Sequence, residues 1–169
     1  DHAAATPLDR RVLEAMMPYL TNQYGNPSSL HYFGQQARAA VQQARQQLAH
    51  CLGVASGDIV FTSGGTEADN LAIRGYLRAN YPRGGHLITS AVEHQAVLNT
   101  FRALEREGYA LTILPVDCDG RVSPETLRQA IRPDTVLISI MYANNETGTI
   151  QPVQELGVIA RERGIAFHV

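Results

Sequence analysis

At 169 residues, 44% hydrophobic and 18% charged, the chain is long enough for one domain with a sizeable core and has the make-up of an ordinary globular protein. A formal net charge of −2 gives no electrostatic reason to expect nucleic acid or an anionic membrane as partner. No apolar run approaches a membrane span, the first residues lack a signal-peptide pattern, and all 14 basic residues are Arg, so any lysine chemistry must come from elsewhere.

Residues 1–32 are broken by Pro7, Pro18, Gly25, Asn26 and Pro27 into a short helix and irregular segments, an arm leading into the domain with part of it near the ligand. From about residue 35 helix and strand patterns alternate. Phe33 to Cys51 places Ala37, Val41, Ala44, Leu48 and Cys51 on one face, an amphipathic helix that Gly53 stops. Asp58-Ile59-Val60-Phe61-Thr62 reads as a buried parallel strand, followed by the turn Ser63-Gly64-Gly65-Thr66 and a helix from Ala68 to Tyr76. Next come a strand at His86–Thr89, a helix holding Val97, Phe101 and Leu104 that ends at Gly108, and a strand at Tyr109–Leu114. Asp119-Gly120 marks a turn, and Ser123-Pro124 an N-cap with Pro at the first helical position. Thr135 to Met141 is a continuous apolar run, as for a central strand covered on both faces. A last helix, Val153 to Arg163, leads into the apolar run Ile165–Val169. A native C-terminus rarely falls inside such a strand, so the chain is expected to be part of a longer protein. The alternation predicts an α/β fold with a mostly parallel sheet flanked by helices and right-handed crossovers.

In an open α/β sheet, ligands sit beyond the carboxyl ends of the strands, where three polar segments are expected. The first is the glycine turn, whose backbone lets a ligand reach the free N–H groups of the following helix. Those groups, the positive end of the helix dipole and the Thr66 hydroxyl suit a phosphate. The spacing matches neither a P-loop nor a dinucleotide fingerprint. The second segment is Ser90-Ala91-Val92-Glu93-His94. Its His94 suits stacking on a flat ligand or moving a proton near neutral pH, or is a helix-start residue bonded to its neighbours. The third is Ala143-Asn144-Asn145-Glu146-Thr147-Gly148. There Asn145 offers its amide to a ring hydroxyl or substrate, or serves an Asx turn. Glu67 complements the helix dipole, and Glu146 does the same or binds a loop amide. His2, His31, His50, His86 and His168 show no pairing at ligand spacing, so no metal site is expected. Cys51 reads as core. Cys118, between Asp117 and Asp119, sits where two carboxylates disfavour a thiolate. Two distant cysteines suit a reducing cytoplasm.

Together these motifs resemble the pyridoxal-phosphate-dependent cysteine desulfurases of the class V aminotransferase group, in the branch of the nitrogen-fixation and iron–sulfur-assembly enzymes. The resemblance runs over essentially the whole chain: Ala3-Ala4-Ala5-Thr6-Pro7, Gly25-Asn26-Pro27-Ser28-Ser29 with His31 and Gly34, Phe61 to Asn70, Glu93-His94 with Ala96-Val97-Leu98, and Ala143 to Gly148. Ala5 departs from the family, which commonly has a second Thr there. The resemblance implies the large cofactor domain of the aspartate-aminotransferase-like (fold type I) enzymes, truncated, with residues 1–32 as an arm and 33–169 as part of that domain. It implies pyridoxal 5'-phosphate as cofactor, with Gly65 and Thr66 on its phosphate, His94 stacked on its ring with a part in proton transfer, and Asn145 near its 3-hydroxyl. It further implies that the ring-nitrogen Asp, the Schiff-base Lys, the persulfide-forming Cys and the substrate-carboxylate Arg lie beyond Val169, so that this segment alone is inactive. The implied reaction converts L-cysteine to L-alanine and an enzyme persulfide for a sulfur acceptor or iron–sulfur scaffold protein, in a cytoplasmic homodimer. Two other readings stay open: a cystine or selenocysteine lyase on the same fold, and a degenerate relative kept for binding or assembly.

Overall fold

The computed structural model describes residue 2 and residues 5–169, so Ala3 and Ala4 of the opening motif lie outside the described residues. The chain forms two compact units, residues 1–61 and 62–169.

The first unit contains helix α1 (Arg10–Thr21), helix α2 (Tyr32–Leu52) and a 3-10 turn at Ser56–Asp58. Asp9 caps α1 by accepting the Arg11 N–H at 2.8 Å, and His31 caps α2 by accepting the Gly34 N–H through Nδ1. Gly53 stops α2 as expected: at φ +68° it adopts the left-handed conformation, while Val54 N–H returns to Ala49 O at 3.0 Å. The expected apolar face of α2 is only partly covered. Ala37 and Ala49 are buried, but Val41, Leu48 and Cys51 are exposed, which corrects the reading of Cys51 as core. A second correction concerns residues 58–62. Asp58 closes the 3-10 turn, Ile59 is extended, and residues 59–62 have no ladder partner, so no strand forms. The local chemistry explains this. The Asp58 carboxylate accepts the Ala55 N–H, the Arg45 guanidinium donates to Ile59 O, and it lies 5.0 Å from the centre of the Phe61 ring. With Val60 65% exposed, the run lacks the burial that would make it a core strand.

The second unit is the α/β layer. Its elements are α3 (Gly65–Asn80), β1 (His86–Ser90), α4 (Gln95–Arg106), β2 (Ala110–Leu114), α5 (Pro124–Ala130), β3 (Thr135–Ser139), α6 (Val153–Glu162) and β4 (Ala166–His168). The strands are all parallel in the order β2-β1-β3-β4. β1 and β3 are buried on both faces, which is why they read as continuous apolar runs. Alternate residues face opposite layers: Leu87 and Leu137 pack with Ile73, Leu77, Val97 and Phe101 of α3 and α4, and Ile88 and Ile138 with Leu127, Leu156 and Ile159 of α5 and α6. Burying each such side chain contributes about 1.5–3 kcal/mol, so the two layers anchor the sheet edge that carries the polar loops.

The order also sets where the sheet opens a crevice. β1 connects outward to β2, and the chain then crosses back to place β3 on the other side of β1. The winding therefore reverses between β1 and β3, and their carboxyl ends flank the crevice where open α/β sheets take ligands.

Candidate functional site

The glycine turn follows the unpaired segment, not a strand, and opens directly into α3. Gly64 is the N-cap and Gly65 and Thr66 are the first two helical residues. Their N–H groups and that of Glu67 precede the first intrahelical bond, which Ala68 N–H makes to Gly64 O at 3.0 Å. Glu67 works differently from a plain dipole complement: its Oε2 accepts the Ser63 N–H at 2.7 Å and the Ser63 hydroxyl at 2.6 Å. These bonds hold its carboxyl below the usual carboxylate range. They close the turn without using the Gly65 and Thr66 donors. A Cβ at Gly64 or Gly65 would meet no protein atom within 4 Å, so the space over the turn is open to a ligand.

His94 takes the helix-start role. It is the N-cap of α4, with Nδ1 accepting the Ala96 N–H at 3.1 Å, and its ring is exposed. Because Nδ1 accepts, the cap places the proton of the neutral ring on Nε2, which no described residue engages. Thr66 and the residues after His94 belong to one place: Thr66, Asn70, Gln95, Ala96 and Thr100 line an open hollow of about 290 Å³. Thr100 Oγ1 donates to Asn70 Oδ1 at 2.8 Å and Asn70 Nδ2 to Thr66 O at 2.9 Å, tying α4 to the first turns of α3. A larger hollow of about 690 Å³ lies between α1 and α2, lined by Tyr19, Ala37, Val41 and Ala44, and brings together none of these groups.

In the third loop the Asx turn belongs to Asn144, not Asn145. Asn144 Oδ1 accepts the Glu146 and Thr147 N–H groups at 2.8 and 2.9 Å, and its Nδ2 donates to Val92 O at 3.0 Å. Asn145 is left exposed at the loop tip, with its amide engaged by no other described residue. The loop's far end is pinned by Thr149 Oγ1 to Asp119 O at 2.7 Å and by the buried Gln151, which bonds Gly120 O and the Val122 N–H.

Sequence reasoning missed the polar groups beneath these loops. Glu93 is buried, and its Oε1 accepts from Ser90 Oγ at 2.9 Å and from Met141 N–H at 2.7 Å. Burial pushes its carboxyl above the usual range despite these bonds. His168 Nδ1 lies 2.8 Å from Ser139 Oγ and its Nε2 3.8 Å from Asp69 Oδ1. Burial lowers its pKa and the Asp69 charge opposes that shift. His168 is marked in the sequence as a histidine inside the apolar run Ile165–Val169, whereas nothing in the polar segment around Glu93 marks it as buried. Among the described residues no three His, Cys, Asp or Glu side chains converge as metal ligands.

The comparisons with known proteins bear on this arrangement. Residues 1–169 match the family Aminotransferase class-V. The chain is 53% identical over 168 residues to cysteine desulfurase IscS of Dictyoglomus turgidum, covering 99% of this chain and 43% of that protein. Among solved structures, a NifS-like protein superposes with a TM-score of 0.95 at 39% identity, covering 100% of this chain and 47% of the other. SspA in complex with cysteine superposes with a TM-score of 0.94 at 43% identity, covering 99% and 48%. The chain thus spans under half the length of the relatives it matches. With the parallel sheet, the helix-start donors and the match along its whole length, the chain belongs to the class-V aminotransferase family.

Proposed function

We propose that this chain is the cofactor-cradling part of a pyridoxal 5'-phosphate-dependent cysteine desulfurase. The whole protein converts L-cysteine to L-alanine and carries the sulfur as an enzyme persulfide toward iron–sulfur assembly and other acceptors. The observation that carries this reading is the free donor set at the start of α3, in a chain that aligns end to end with cysteine desulfurases, enzymes of a pyridoxal-phosphate-dependent family.

The residues present suit that cofactor. Gly65 and Thr66 hold the phosphate through backbone N–H groups and the Thr66 hydroxyl, at the positive end of a helix dipole and over glycines that leave the approach open. His94 stacks on the ring, with orientation and tautomer set by its bond to Ala96 N–H, and Nε2 is the atom that holds the mobile proton. Asn145 orients the ring through its 3-hydroxyl, from a loop that Asn144 shapes. When bound, the cofactor supplies an electron sink for the substrate's Cα. Residues 1–32 serve as an arm and 33–169 as part of the large cofactor domain. The chain has no Lys, so the covalent anchor lies elsewhere in the protein and this segment alone is inactive. The working form is a cytoplasmic homodimer that passes sulfur to an acceptor or scaffold protein.

The test uses full-length protein with pyridoxal phosphate, L-cysteine and a thiol reductant, following sulfide and alanine together. Equal, enzyme-dependent amounts of both are expected. Sulfide with pyruvate would mean β-elimination and a lyase, and the formation of neither sulfide nor alanine would overturn the reading.

A further inference from the structure

Beyond Thr89 and Ser139 the ladder between β1 and β3 ends, and each strand turns to a different neighbour. Ala91 N–H bonds Leu114 O on the β2 side, while Ile140 N–H bonds His168 O on the β4 side. The two chains therefore splay apart where the winding reverses, leaving the Met141 N–H without a ladder partner at the mouth of the crevice. Glu93 supplies that partner. It is the only carboxylate among the buried polar residues described, at 7% exposure. One of its oxygens receives both the Met141 N–H from the β3 side and the Ser90 hydroxyl from its own loop. The bond from Asn144 Nδ2 to Val92 O is a second strap across the same gap. His94 follows Glu93 directly, and Asn145 follows Asn144 directly.

We infer that Glu93 is a positioning residue: its buried side chain fixes the separation of the His94 loop and the Asn145 loop across the β1–β3 crevice, and with it the alignment of imidazole and amide on the cofactor. The inference rests on the cofactor reading above. A buried carboxyl is costly unless its lone pairs are used, so packing alone would favour an apolar residue here. What the site needs is an acceptor of this length that takes two donors on one oxygen. Gln meets that need, whereas Asp is one methylene short and Ala lacks the acceptor.

The experiment uses full-length protein carrying Glu93→Gln, Glu93→Asp or Glu93→Ala, with pyridoxal phosphate alone as probe. Three quantities are read: the cofactor dissociation constant, the visible circular dichroism of the bound cofactor, and amide exchange of the Met141–Gly148 segment in cofactor-free protein. The expected result is binding weakened about 10- to 100-fold in the Asp and Ala variants, the range by which outer partners tune a ligand-holding group. The dichroic band should shrink and exchange of the segment should rise in both, with Gln close to wild type in all three. A merely structural role would leave the dichroism of the molecules that do bind unchanged. Should Glu93→Ala fail to fold, the Asp–Gln pair carries the comparison. Wild-type uptake with affinity and dichroism unchanged in the Asp variant overturns the inference alone. A wild-type protein that takes up no pyridoxal phosphate overturns the cofactor reading and this inference with it.

Discussion

Asn144 donates its side-chain amide to the backbone carbonyl of Val92 at 3.0 Å, joining two loops that the sheet does not pair. The same side chain accepts two N–H groups of its own loop, whereas Asn145 bonds no described residue. Adjacent and chemically identical, the two carry different loads, and replacing each by Ala should separate them. Asn144→Ala removes four hydrogen bonds, one of them a weak one to the Met141 sulfur, so it should lower stability by about 1–3 kcal/mol. Asn145→Ala should stay within about 0.5 kcal/mol of wild type, yet weaken cofactor binding and slow turnover in the full-length protein. Urea unfolding beside a cofactor titration checks both; a stability loss at Asn145 equal to that at Asn144 would contradict the division.

His94 permits a sharper separation. His94→Ala loses both the cap and the ring, and the lost cap alone costs about 0.5–2 kcal/mol. His94→Asn restores a good cap without an aromatic face. We expect the Asn variant to melt near wild type while its bound-cofactor absorbance and desulfuration stay as impaired as those of the Ala variant. Recovery of activity with Asn would show that the ring does no more than cap α4.

These contrasts mark what the sequence made legible. β1, β3 and α4 were readable because burial on both faces of a strand, or on one face of a helix, writes itself into local periodicity. Residues 58–62 misled because β-branching signals extended backbone, while a strand also needs a partner, and Asp58 and Arg45 commit this segment to other bonds. At Asn144-Asn145 both residue types fit an Asx turn, so only the folded loop assigns it. Glu93 was invisible for a related reason. Beside a polar loop a glutamate reads as solvated, and the group that makes it a buried acceptor, Met141 N–H, lies 48 residues further on.

Within the first unit, Gly34 is, with Gly25, a position where a single methyl group should matter. A Cβ there would lie 2.3 Å from Ser29 O and 2.8 Å from Asn26 O, both backbone atoms that cannot swing aside. The helix start at His31 and the Asn26–Ser29 turn, closed by Ser29 N–H on Asn26 O at 3.0 Å, depend on that close approach. Gly34→Ala should therefore destabilise, by about 1–3 kcal/mol as for other overpacked sites. Gly65→Ala, where the new methyl meets no protein atom, should be neutral or slightly stabilising by up to about 1 kcal/mol. Denaturant midpoints of the two variants give the comparison, and equal effects would count against the close-approach argument.

His86 is fully buried, with Nδ1 2.8 Å from Thr135 Oγ1 and Nε2 2.8 Å from Thr112 Oγ1, so one imidazole bridges all three strands β2, β1 and β3. Burial, helped by the Arg132 charge and opposed by Asp134, lowers its pKa below the ordinary 6.5. In the window between the folded and the unfolded pKa the unfolded chain binds a proton that the folded chain does not, so stability rises with pH there. The contribution of His86 is therefore complete above the ordinary value of 6.5 and is lost as pH falls from there toward the folded pKa. His168, lowered by burial, acts in the same direction. Glu93 acts oppositely: with its pKa raised by burial, its contribution is complete at low pH and is lost as pH rises through the folded value. Urea unfolding followed stepwise down from neutral pH should show His86→Asn losing less stability than wild type across the histidine window, although it starts lower because a buried bridge is broken. Glu93→Gln should gain on wild type as pH rises toward neutrality. Parallel curves for wild type and His86→Asn would mean that the imidazole takes up its proton in the fold as readily as in the open chain, and that its two threonine bonds, rather than its neutrality, are what the sheet requires.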